Sequence, residues 1–192
     1  MKIKIQQSKV RLLFAVLIVF SLISFTGRPV FGAEQAKAYS AGNVNFTAGG
    51  GWEELPVSSP MRKYQFRIPK VAEDAEDGEM AVFFFGPGQG GSVESNIERW
   101  QSQFLPSAGS TEVVSQISNK SVNGLKVTTL FMEGSFQAAM AMQGSSVKND
   151  YALLGAIAEG PQGPVFFKLY GPRKTVQNAR STFDALVESF KA

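Results

Sequence analysis

Two links in this chain are too short to join parallel strands, and they decide its fold class. Between "TEVVSQIS" (111–118) and "LKVTTLFMEG" (125–134) stands Asn123-Gly124, and between "YALLGAIAE" (151–159) and "PVFFKLY" (164–170) stands "GPQG". Asn-Gly supplies the positive-φ pair of a tight hairpin turn. A parallel connection needs a crossover of about a dozen residues or more. The strands on either side of each link therefore run antiparallel. Two further strands are expected upstream. "RKYQFRI" (62–68) alternates, with Tyr64, Phe66 and Ile68 on one face, and Pro69 ends it. "MAVFFF" (80–85) is apolar without a break. Continuous apolar runs mark strands covered on both faces.

Two amphipathic segments supply the cover. In 92–105, Val93, Ile97, Trp100 and Phe104 fall on one helical stripe. In 175–191, Val176, Ala179, Phe183, Leu186, Val187 and Phe190 do the same. Ser92 and Thr175 are the expected N-caps, since their oxygens can accept first-turn amides. The expected fold is α+β: an antiparallel β-sheet with helices on its faces, an α/β/α sandwich, in one domain over 48–192.

The N-terminus has another character. Lys2, Lys4, Lys9 and Arg11 precede the apolar run "LLFAVLIVFSLISF" (12–25). That run is short of the ~20 residues of a membrane span and suits a secretory signal peptide over 1–32. Cleavage is expected before Ala33, with a cut after Ala38 as the alternative, and 33–47 reads as a flexible leader. Five of the 19 basic residues lie in the signal, which leaves 14 against 16 acidic residues. The exported chain is then slightly acidic, so no nucleic-acid partner is expected, and no membrane insertion is expected after cleavage.

Composition excludes whole chemistries. The chain has no histidine and no cysteine, which removes histidine general bases, thiolate nucleophiles and histidine or thiolate metal sites. Gly86, Gly88 and Gly91 are spaced G-x-G-x-x-G. A dinucleotide fold, however, needs a second parallel strand ending in an acid. Pro87 removes a loop amide, and Glu94 puts negative charge where a pyrophosphate sits. The motif reads as a strand-to-helix turn, repeated in outline at Gly171-Pro172. Ser145-x-x-Lys148 has the spacing of serine acyl enzymes without their companion motifs. "EDAEDGE" (73–79) reads as a solvated turn, with calcium as the alternative. The segment 135–146, with Met140 and Met142, reads as a strand end or an apolar flap. No cofactor is expected.

One polar flank stands out. Asn96, Arg99 and Gln103 border the apolar stripe of the first helix. Either they fix the helix on the sheet or they form a recognition edge. That edge extends to Lys168 and Arg173 if the two Gly-Pro turns share an end of the sheet.

The leader, the "GW" at 51–52, the "FRIP" strand and "VFFFG…GGSVESNIERWQSQF" resemble a set of uncharacterised bacterial exported proteins. Their layout is similar to the PsbP-like fold, which is found in the PsbP extrinsic subunit of photosystem II and in Mog-type Ran-binding proteins. The resemblance spans about 48–191. It implies a non-catalytic accessory or interaction protein of the cell envelope, its partner another envelope protein. It carries over no ligand residue. The alternative function is a small-ligand-binding protein or a hydrolase of the periplasm.

Overall fold

The computed structural model describes residues 36–137 and 147–192. The expected signal peptide, its cleavage site before Ala33, and Met140, Met142 and Ser145 lie outside the described residues. The chain order is β1 (Lys37–Ala41), β2 (Val44–Ala48), β3 (Glu53–Leu55), β4 (Arg62–Ile68), β5 (Gly78–Phe83), α1 (Val93–Gln101) and β6 (Phe104–Leu105), followed by β7 (Val114–Val122), β8 (Leu125–Phe136), β9 (Lys148–Gly160), β10 (Gly163–Pro172) and α2 (Arg173–Glu188). The main sheet runs β3-β4-β5-β10-β9-β8-β6, with β7 also paired to β8. Every pairing is antiparallel. The Asn123-Gly124 turn has positive φ at both residues and joins β7 to β8. Gly160 pairs with Gly163 across the second turn.

Strand alternation sorts the core into two layers. On one face Leu154, Ala156, Ala158, Val165, Phe167 and Leu169 meet the stripe of α2, from Val176 to Phe190. Each large side chain buried there contributes about 1.5–3 kcal/mol. On the other face Leu153, Ile157, Leu130, Met132 and Phe166 meet Ile97 and Trp100 of α1. The unbroken burial of β9 from Tyr151 to Ala158 follows from this double cover.

Three expectations are corrected. First, from Lys37 onward the expected flexible leader is a hairpin, β1–β2, turned at Gly42-Asn43, where both φ are positive. Ala41, Val44, Phe46 and Ala48 are buried in the α2-side core, and Phe46 meets Phe167 edge-on at 5.0 Å. The hairpin orders because its alternate side chains finish a layer that α2 leaves open. Asn45 also pairs with Lys191 beyond α2.

Second, α1 ends at Gln101 and not at 105. Phe104 still joins the Trp100 cluster, but from β6, paired with Phe136. Third, Thr175 is not an N-cap. Helix α2 opens after Pro172, which has no capping oxygen. The acceptor comes from the acidic loop: Asp74 Oδ2 accepts from Thr175 N at 2.7 Å and from Thr175 Oγ1 at 2.6 Å. Ser92 does cap α1, accepting from Ser95 N at 3.1 Å.

The acidic loop is thus a set of ties as well as a turn. Glu76 accepts from Lys148 Nζ at 2.6 Å and Tyr151 Oη at 2.5 Å. Asp77 accepts from Lys70 N at 2.9 Å and Arg67 at 3.0 Å. These contacts hold the Glu76 and Asp77 carboxyls below the usual range; the lysine side chain is the main cause for Glu76 and the Lys70 amide for Asp77.

Candidate functional site

Helix α1 is nine residues long, and the face it covers is seven strands wide. A helix spans roughly two strand spacings. Among the described residues the α1 side is therefore left partly open over β5 and β10. The opening is a cavity of about 760 Å³ lined by rings, by Arg99, Gln103 and Lys168, and by the glycine turn at Gln89–Gly91. Its apolar wall is Phe83, Phe85, Phe166 and Trp100.

The glycine turn earns its composition here. Gly86, Gly88, Gly90 and Gly91 all have φ between +68° and +101°, where a Cβ is disfavoured. They carry the chain from β5 over the cavity rim into α1. The strands that follow α1 pair antiparallel, so the turn serves no dinucleotide-type parallel unit.

The polar flank splits in role. Asn96 is fully buried. Its Nδ2 donates to Gly90 O at 2.8 Å and Ser92 O at 2.7 Å, and its Oδ1 accepts from Arg99. Asn96 thereby locks the turn onto the helix and steers the Arg99 guanidinium. Arg99 is exposed and lines the cavity. Gln103 is held by its carbonyl, which accepts from Gln137 N at 2.8 Å. Its Oε1 accepts from Lys168 Nζ at 2.5 Å.

Lys168 is the unusual residue. It sits mid-strand in β10, on the same face as Phe166 and Tyr170, with its ammonium 5.1 Å from the Tyr170 ring and 5.5 Å from the Phe136 ring. Burial, with Arg99 adding to it, pushes its pKa down to about 8. The nearest compensating acid, Glu79, is already engaged by Arg62 at 2.6 Å, Gln65 at 2.9 Å and Tyr170 at 3.2 Å. Among the described residues neither Lys168 nor Arg99 enters a salt bridge.

Arg173 does not join them. It pairs with Asp150 at the opposite end of the sheet. The cause is topological. Strands β5 and β10 run antiparallel, with Phe83 beside Phe166 and Glu79 beside Tyr170. Gly86-Pro87 and Gly171-Pro172 therefore end up at opposite ends of this strand pair. Of the cavity-wall rings only Trp100 stood out in the sequence, as part of the helix stripe; for Phe83 and Phe85 the apolar run 80–85 was the available signal. Lys148 of the S-x-x-K spacing bonds Glu76 and Tyr151. Among the described residues no three acids cluster as metal ligands, and no helix is long and apolar enough to cross a membrane.

No protein-family model and no curated protein matches the chain. Solved structures do. The solution structure of cyanobacterial PsbP (CyanoP) from Synechocystis sp. PCC 6803 aligns with a TM-score of 0.50 at 16% identity, covering 86% of this chain and 96% of that one. The crystal structure of PA94, a protein of unknown function from Pseudomonas aeruginosa, aligns at 0.47 and 10% identity over 82% and 97%. The chain has a PsbP-like fold.

Proposed function

We propose that the protein is an exported, non-catalytic accessory or interaction protein of the bacterial cell envelope, and that it works by binding on the α1 face. One observation carries this reading. The cavity on that face joins an aromatic wall to two cations, and among the described residues no carboxylate lines it. Such a lining recognises a ligand or partner, whereas hydrolysis by carboxylates needs an acid and a base together. The PsbP-like fold supports the reading by analogy alone.

Export is tested by sequencing the N-terminus of the protein recovered from the envelope. A start at Ala33 is expected, and an intact Met1 would defeat it. Binding on the α1 face is tested by co-purification from envelope extract. Arg99→Ala is expected to weaken capture while the protein stays folded. Unchanged capture would reduce the polar flank to a structural clamp.

A further inference from the structure

The cavity leaves a charge without an answer. Among the described residues Arg99 and Lys168 are the only charged ones in its lining. Taking a lysine ammonium out of water is costly, and native structures normally offset it with a carboxylate. Here Gln103 Oε1 and two aromatic faces are the ammonium's contacts. Around Lys168 the charged and titratable groups are Arg99 on α1, Arg62 on β4, Glu79 on β5 and Tyr170 on β10. Glu79 is spent on Arg62, Gln65 and Tyr170. An occupant bearing negative charge completes this set.

The rest of the wall states the occupant's body. Phe83 and Phe85 are stacked with ring centres 6.2 Å apart, and Phe85 meets Phe166 at 5.8 Å. Phe85 remains 37% exposed, an unfinished ring cluster at the cavity mouth. A bare inorganic anion leaves these rings wet, and an uncharged hydrocarbon leaves the cations unpaired. At about 760 Å³ the cavity falls within the ordinary range of small-molecule sites.

We propose that the α1-face cavity binds a small organic anion with a planar apolar body, its anionic group between Lys168 and Arg99 and its body against Phe83, Phe85 and Phe166. This rests on the reading of the cavity as the binding site. Bound anion stabilises the Lys168 ammonium, so binding is strongest where that amine is protonated. Affinity then falls as pH rises from neutrality past about 8, the position at which the free protein's Lys168 loses its proton.

The test uses two fluorescent probes of similar shape on the purified protein: anilinonaphthalene sulfonate, an anion, and phenylnaphthylamine, which is uncharged. The anion is expected to bind saturably at one site and at least tenfold more tightly than the neutral probe. Lys168→Met keeps the aliphatic stem; it is expected to cut anion affinity roughly tenfold or more, as loss of a charge-assisted contact does, and to leave the neutral probe within about twofold. Arg99→Gln is expected to act in the same direction and serves if Lys168→Met does not fold. Raising the pH from 7 to 9.5 weakens the anion alone. Equal affinities for the two probes, or anion binding unmoved by both substitutions, overturn the anion proposal and leave an apolar binding cavity. Absence of saturable binding by either probe overturns the cavity as a binding site altogether.

Discussion

Gly155 is shaped by the residue above it. A Cβ there would lie 2.6 Å from the Trp100 ring, so only a hydrogen fits between α1 and β9. Trp100→Ala is expected to cost about 3–5 kcal/mol, as large aromatic deletions do. Gly155→Ala is expected to cost about 1–3 kcal/mol by overpacking. Because the two changes share one space, the double variant should lose clearly less than the sum. Urea midpoints of the four proteins measure this, and simple additivity would place Trp100 off Gly155. Lys168 gives a residue-scale prediction in pH. Its folded pKa of about 8 lies below the ordinary 10.5. The unfolded chain therefore holds more protons between those values, and wild-type stability gains as pH rises through them. Lys168→Met removes that gain and is expected to be more stable than wild type at pH 7 by about 1–3 kcal/mol. Parallel stability profiles for the two proteins across pH 7–10.5 would refute it.

Elements that close locally were legible in the sequence, and those that close at a distance were not. The run 62–68 and the two hairpin links needed only alternation and turn residues, and they stand where expected. The β1–β2 hairpin carried the same signals, Gly42-Asn43 between Tyr39-x-Ala41 and Val44-x-Phe46, but its short polar strands hid behind the neighbouring leader. Its order comes from Phe167, far along the chain and itself stacked on Phe190. Phe46→Ala is accordingly expected to cost about 3–5 kcal/mol in a denaturant titration; a leader would lose nothing. The cap of α2 was equally invisible, since Asp74 is 101 positions from Thr175. Asp74→Ala is expected to cost about 1–2 kcal/mol and to lower the thermal midpoint. An unchanged midpoint would mean the carboxylate is not the cap. The spacing of Asn96, Arg99 and Gln103 exposed the polar flank, and Lys168 was placed beside it by the β10 register. Arg173 was misplaced because sequence gave no direction to the pairing of β5 with β10.

At the scale of the whole fold, the described residues cover the two faces of the sheet unequally. Helix α2 and the β1–β2 hairpin fill one face, with Phe46, Phe183 and Phe190 almost wholly buried. The nine residues of α1 fill part of the other. The cavity is what remains, and the glycine turn, the ring wall and the paired cations all border it. No single stretch of sequence holds that arrangement: its lining residues run from Met61 to Lys168. This open half-face is where the protein is proposed to bind. Amide chemical shifts, followed by NMR while anilinonaphthalene sulfonate is titrated into the labelled protein, locate the binding surface. Saturable shifts are expected to concentrate at Gln89–Gly91, at Arg99 and Gln103, and along β10 around Lys168, with the α2 face unmoved. Saturable shifts centred on α2, on the β1–β2 hairpin or along β7 would place binding elsewhere and overturn this reading.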